Sequence, residues 1–150
     1  MNKILLIIPA YNEQDSILST TKTIDEYNKN HSNSLDYIVI NDGSKDNTEQ
    51  ILVEHNIPHI KLVHNLGIGG AVQTGYKYAF ENDYDIAIQF DGDGQHDISF
   101  VDALVKPILN EHANMTIGSR FVQGSTSEFK STKARQFGIR LISSFIQFFT

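Results

Sequence analysis

The chain has 150 residues, 40% hydrophobic and 20% charged, which suits one domain with a real core. It contains no cysteine, so disulfides and thiolate metal sites are excluded and a reducing cytosol is the default; its net charge of −6 argues against general nucleic-acid binding. Only five apolar residues separate Lys3 from Pro9, too few for a signal peptide, and no apolar run reaches membrane-spanning length.

Residues Lys3 to Ile8 form a continuous apolar run, the mark of a strand buried on both faces, and it is expected to stop at Pro9. Ala10-Tyr11-Asn12-Glu13 reads as a loop. Ile17, Leu18, Thr21, Ile24 and Tyr27 then recur at helical spacing, and the polar stretch Asn28 to Ser34 ends that helix. Tyr37 to Ile40 is a second buried strand, closed by the turn Asn41-Asp42-Gly43-Ser44. Asp46, Asn47 and Thr48 offer caps for a helix through His55. Ile60 to Val63 is a weaker strand leading into His64-Asn65-Leu66-Gly67-Ile68-Gly69-Gly70. The helix after it runs to about Glu81, with Val72, Tyr76 and Ala79 on one face.

Ile86 to Phe90 has the length and β-branched content of a buried strand and ends in Asp91-Gly92-Asp93-Gly94-Gln95-His96. A helix with Phe100, Val101, Leu104, Val105 and Ile108 follows. Met115 to Ile117 reads as a short strand before Gly118-Ser119-Arg120, and Ala134 to Phe149 is helical in period and unusually aromatic. Alternating strands and helices predict an α/β fold with a mostly parallel sheet, its strand ends Pro9, Asp42, His64 and Asp91 on one edge. Tyr11, Glu13, Asp42, Asn65, Asp91 and Asp93 would then surround one crevice.

Two carboxylates one residue apart, Asp91 and Asp93, repel each other unless a cation neutralises them. A hard divalent ion with oxygen ligands, Mg²⁺ or Mn²⁺, is the natural occupant. The plain alternative is a turn whose aspartates cap the next helix. An EF-hand is excluded, because its sixth and twelfth positions from Asp91 are His96 and Asp102 rather than Gly and Glu. Gly67-Ile68-Gly69-Gly70 opens a helix as phosphate-binding turns do, but it lacks the third fingerprint glycine, Val72 standing there, and also the Walker lysine. Close helix–strand packing explains those glycines equally well. Asp42 is placed either to accept from a base or ribose or to bond the amides of Ser44 and Lys45. Tyr11 is placed to lie against a base, and Arg120 to pair with phosphate; a surface tyrosine and a surface ion pair are their plain alternatives.

The runs Ile8 to Glu13, Val39 to Ser44, Asn65 to Gly69 with Gly75, Asp91 to His96 and Gly118 to Phe121 resemble, in order and spacing, glycosyltransferase family 2, over essentially the whole chain. The nearest likeness is to polyprenyl-phosphate sugar synthases and bacterial polysaccharide transferases. The resemblance implies the GT-A fold and a nucleotide-diphosphate-sugar donor carrying UDP, GDP or dTDP. It implies that Pro9, Ala10, Tyr11 and Glu13 hold the nucleoside, with Asn65 and Gly69 nearby, and that Asp42 bonds the base. Asp91 and Asp93 become the metal motif, with Gln95 as helper, and Arg120 adds charge at the leaving diphosphate. It implies inverting transfer to a glycan or polyprenyl-lipid acceptor. Two departures stand out: Asn41 where the family commonly has a second acid, and Ile68 where it often has a basic residue.

On this view residues 1–121 are a donor-binding core and 122–150 a basic, aromatic segment facing a missing acceptor half, so that the chain is a truncated piece. Residues 1–119 hold 7 Lys/Arg against 17 Asp/Glu, whereas 120–150 hold five against Glu128 alone, which suggests contact with the inner face of a membrane or, through an uncovered apolar face, self-association. The rival functions are a polyprenyl-phosphate sugar synthase, a non-catalytic nucleotide-sugar-binding fragment and, more distantly, a nucleotidyltransferase.

Overall fold

In a computed structural model, residues 2–31, 34–92 and 97–119 are described. By packing, the chain divides into two units, Met1–Asn114 and Met115–Thr150. The first contains strands β1 (Ile4–Ala10), β2 (Asp36–Asn41), β3 (His59–Lys61) and β4 (Ile86–Gln89). Helices α1 (Ile17–Asn30), α2 (Thr48–Glu54), α3 (Gly67–Glu81) and α4 (Val101–Leu109) lie between and after them, α4 preceded by a 3₁₀ turn at Ile98–Phe100.

The four strands make one parallel sheet in the order β3-β2-β1-β4. Successive side chains of a strand point to opposite faces, and β1 divides its apolar run accordingly. Ile4, Leu6, Ile8 and Ala10 join Ile17, Ile24, Tyr27, Leu52, Val101 and Val105 in one core; Leu5 and Ile7 join Ile38, Ile40, Ala71 and Ala79 in the other. A strand buried on both faces cannot alternate polar with apolar residues, which is why it reads as a continuous run.

Several local expectations are corrected. β1 does not stop at Pro9 but continues to Ala10. Phe90 N–H donates to Ile7 O and Asp42 N–H to Ala10 O, so the polar groups of Pro9 face the β4 side, beyond the last β4 pair, Ile7 with Gln89. No ladder donor is missing there, and proline is tolerated. β3 covers His59–Lys61 rather than reaching Val63, which is exposed. The buried face of α3 is Ala71, Gly75 and Ala79, not Val72 and Tyr76; Tyr76 is 47% exposed. A Cβ added at Gly75 would overlap the Ile7 side chain, so the helix lies too close to the sheet for larger residues. Phe100 is also outward, and Ile98 is buried in its stead. Asn47 makes no side-chain cap to α2; Asp46 Oδ1 accepts from Thr48 N–H at 3.0 Å instead.

In the second unit, residues 115–119 are described, and Met115 to Ile117 is not a strand there. Both Met115 and Ile117 are exposed, and so short a run does not hold strand geometry without a paired neighbour. The expected helix at Ala134 to Phe149 lies outside the described residues, as do Asp93, Gly94, Gln95, His96 and Arg120. Among the described residues no helix is long and apolar enough to cross a membrane.

Candidate functional site

Because the sheet is parallel, the carboxyl ends of β1, β2 and β4 share one edge, and the strand order reverses direction about β1. Open α/β sheets bind ligands at such a switch point. A crevice of ≈ 240 Å³ opens there, lined by Pro9, Ala10, Tyr11, Glu13, Asp42, Ile68, Ala71, Asp91 and Gly92. Six of these are residues the sequence singled out. Asn65 and Gly69 are not among the lining residues; Asn65 Oδ1 accepts from Gly67 N–H at 3.1 Å, just before α3, and a Cβ at Gly69 would meet open space. Ile68, Ala71 and Gly92 were missed as lining residues. Ile68 and Ala71 lie in the first turns of α3, the helix expected after the glycine turn, and Gly92 follows Asp91 directly.

Asp42 is 3% exposed, at the end of β2. Its Oδ1 accepts from Leu66 N–H at 2.7 Å, at the N-terminus of α3, where the helix dipole favours negative charge. The amides of Ser44 and Lys45, the alternative partners for Asp42, bond elsewhere: Ser44 N–H to Asn41 Oδ1 at 3.0 Å and Lys45 N–H to Asn12 Oδ1 at 2.8 Å. With the amides of Leu66 and Gly67 donating to Asp42 and Asn65, these two first donors of the glycine turn are committed to side chains rather than open to phosphate.

Asn41, where a second acid was noted as the commoner residue, is fully buried. Its Nδ2 donates to Glu49 Oε2 at 2.6 Å, and Glu49 in turn lies 3.5 Å from Lys61 Nζ and 3.7 Å from His59 Nε2. Glu49 thus satisfies the buried Asn41 amide, and neither of the two lines the crevice.

Glu13 accepts at Oε2 from the Ser16 hydroxyl at 2.6 Å, and its carbonyl receives the amides of Ser16 and Ile17, so it starts α1 while facing the crevice. Tyr11, 42% exposed, stands at the rim. Asp91 follows β4 and accepts from Gln89 Nε2 at 3.1 Å. Gly92 is held by sterics: a Cβ there would lie 3.2 Å from Pro9 O, a backbone atom that cannot swing aside. The Thr20 hydroxyl, buried on α1, lies 3.1 Å from both Ser16 O and Gly92 O, two carbonyls that share its single proton.

Electrostatically the crevice is one-sided. Glu13, Asp42 and Asp91 line it, and no Lys, Arg or His does so among the described residues. Such a site repels a diphosphate unless a cation accompanies it, and its oxygen donors are those preferred by Mg²⁺ or Mn²⁺. Among the described residues no group of three metal-ligating side chains is assembled.

The family model described as Glycosyl transferase family 2 matches residues 5–149. The UDP-N-acetylglucosamine–dolichyl-phosphate N-acetylglucosaminyltransferase of Methanococcus voltae is 36% identical over 97% of this chain and 62% of its own length. The undecaprenyl-phosphate mannosyltransferase of Micrococcus luteus is 29% identical over 81% of this chain and 48% of its own. The chain thus spans roughly half to three-fifths of these relatives. Among solved structures, glucosyl-3-phosphoglycerate synthase from Mycobacterium tuberculosis, in complex with Mn²⁺, uridine diphosphate and glucosyl-3-phosphoglycerate, superposes with a TM-score of 0.56. It is 25% identical and is matched over 72% of this chain and 40% of that one. Parallel sheet, edge crevice and relatives agree on the GT-A fold, and the chain belongs to glycosyl transferase family 2.

Proposed function

We propose that the protein is a metal-dependent inverting glycosyltransferase that moves a sugar from a nucleotide-diphosphate donor, UDP-linked in the first instance, to a lipid-linked or other cell-envelope acceptor. The observation that carries this is the crevice at the switch point, whose walls bear three carboxylates and, among the described residues, no lining cation. Relatives named for dolichyl-phosphate and undecaprenyl-phosphate transfer support a polyprenyl-phosphate acceptor, and a lipid phosphate, already an anion, needs no strong base. Such an acceptor suits work at the inner face of a membrane.

In this reading Tyr11 packs against the base and Asp42 accepts from it or from the ribose. Asp42 is suited because Leu66 N–H fixes Oδ1 and leaves a buried, acceptor-only carboxylate at the crevice wall. Pro9 and Ala10 form the crevice floor, and Glu13 accepts ribose hydroxyls while held by Ser16. Asp91 and Asp93, with Gln95, would hold Mn²⁺ or Mg²⁺; when bound, the ion stabilises charge on the leaving diphosphate as a Lewis acid. Arg120 would add a second positive charge there. Gly92 keeps the strand end against Pro9 so that Asp91 stays on the crevice wall.

The test is unfolding in the presence of UDP, GDP, dTDP or CDP, each with and without Mn²⁺. A nucleotide at about a hundred times its dissociation constant adds roughly 2.7 kcal/mol to native stability. A Mn²⁺-dependent gain with UDP that Asp93→Ala abolishes is expected, together with sugar transfer to polyprenyl phosphate. Nucleotide binding without transfer or donor hydrolysis would favour a binding-only role, and no binding would remove the donor site altogether.

A further inference from the structure

The loops that follow β1 and β2 are stitched to each other, residue against residue. Three consecutive amides after Tyr11 all donate to side chains of the second loop or of the first residue of α2: Asn12 N–H to Ser44 Oγ at 3.0 Å, Glu13 N–H to Thr48 Oγ1 at 2.9 Å and Gln14 N–H to Asp46 Oδ2 at 3.2 Å. Two amides of the second loop return the bond, Lys45 N–H to Asn12 Oδ1 at 2.8 Å and Asn47 N–H to Gln14 Oε1 at 3.1 Å. Thr48 sits at the centre. It is fully buried, accepts from Glu13 and donates its hydroxyl proton to Asp46 Oδ1 at 2.6 Å.

The clasp joins the two loops that contribute Tyr11, Glu13 and Asp42 to the crevice, yet Thr48 itself does not line it. It also holds Asn12 in the left-handed region, φ 59, a conformation a non-glycine residue keeps only when its surroundings impose it. With the amides of Asn12, Glu13 and Gln14 committed to the clasp, the loop offers a ligand its side chains and carbonyls rather than its N–H groups.

We propose that Thr48, backed by Asp46, is a positioning residue for nucleotide binding: its hydroxyl fixes the Tyr11–Glu13 backbone so that these side chains meet the ligand without first being ordered. This rests on the nucleotide-binding reading above. A preorganised loop gains affinity by sparing the ligand the cost of ordering it. The claim therefore concerns affinity as distinct from stability.

The experiment compares Thr48→Val, which keeps the shape and removes the hydroxyl, with Thr48→Ser, which keeps the hydroxyl. Val105→Ala, in the core and away from the crevice, serves as a control for general destabilisation. Amide exchange of residues 12–14 and the dissociation constant of UDP with Mn²⁺ are read on folded protein. Thr48→Val should speed exchange at Glu13 and weaken UDP by about tenfold, Thr48→Ser should hold within about twofold of the parent, and Val105→Ala should lower the melting temperature with affinity unchanged. Unaltered exchange at Glu13 in Thr48→Val overturns the clasp, whether or not nucleotide binds. Faster exchange with unaltered UDP affinity overturns the positioning role and leaves the nucleotide site standing. A parent protein that binds no nucleotide overturns both the site and the role, while the exchange data still report the clasp.

Discussion

Asp42 at the end of β2 and Leu66 at the start of α3 are joined by a 2.7 Å hydrogen bond, from the Leu66 amide to the Asp42 carboxylate. One side chain thus holds the start of a helix while its residue lines the crevice. Asp42→Ala leaves a helix-end amide without its acceptor and should cost about 1–3 kcal/mol of stability. Asp42→Asn retains an acceptor and should cost less, yet it should weaken nucleotide binding as much as Ala does if the base requires an acceptor-only group. Denaturant titration and calorimetric binding of UDP separate the two effects. Equal stability losses in both variants would mean that charge, rather than the bond to Leu66, holds α3.

The contact of Gly75 with Ile7 should make small-to-large substitution expensive. Gly75→Ala puts a methyl into the Ile7 side chain, and overpacking of this kind costs about 1–3 kcal/mol. Ile7→Ala alone opens a cavity, at about 2–5 kcal/mol. The double variant should be more stable than the sum of the two losses predicts, since each change relieves the other. Additive losses in a double-mutant cycle would show that α3 shifts away instead of pressing on β1.

The buried amide of Asn41 depends on Glu49. Glu49→Ala removes the acceptor of Asn41 Nδ2 and the shared anion of Lys61 and His59. A loss of about 1–3 kcal/mol follows from the unpaired buried group, since the partly exposed ion pairs contribute little. Glu49→Gln, which keeps an acceptor, should recover most of it. Asn41→Asp would set a carboxylate against Glu49 and should be destabilised at neutral pH but less so in acid. Thermal melts from pH 4 to pH 8 would read this, and an Asn41→Asp variant equally stable across that range would refute the repulsion.

Asp46 gives the clasp a pH dependence. Burial pushes its carboxyl up, but the Thr48 hydroxyl and the amides of Thr48 and Gln14 together pull harder, and it ends below the usual 3.8. The folded state therefore binds this proton less readily than the unfolded chain. Its stabilisation is complete above the unfolded value and is lost as pH falls through the folded one. The stability difference between the parent and Asp46→Asn should be constant from pH 7 to about 5 and shrink below about 4. A difference that widens on acidification would mean that the bonds favour the protonated group.

Much of the architecture is legible in local sequence because local physics determines it. The continuous apolar runs of β1 and β2 announce strands buried on both faces, and Ile17, Thr21, Ile24 and Tyr27 repeat at the period of a helix that buries one side. Strand ends of a parallel sheet must share an edge, so the sequence alone gathers Tyr11, Glu13, Asp42 and Asp91 into one crevice. What the tertiary structure alone decided depends on distances between segments far apart in the chain. Helical period cannot say that α3 buries Ala71, Gly75 and Ala79 and approaches Ile7 of β1 too closely at Gly75 for any side chain. Nor does turn chemistry reveal that Asp42 bonds Leu66, 24 residues on, while Thr48 bonds Glu13, 35 residues back. Residue type sets what each group can donate or accept; which partner it finds is set by the packing of the sheet that brings the loops together.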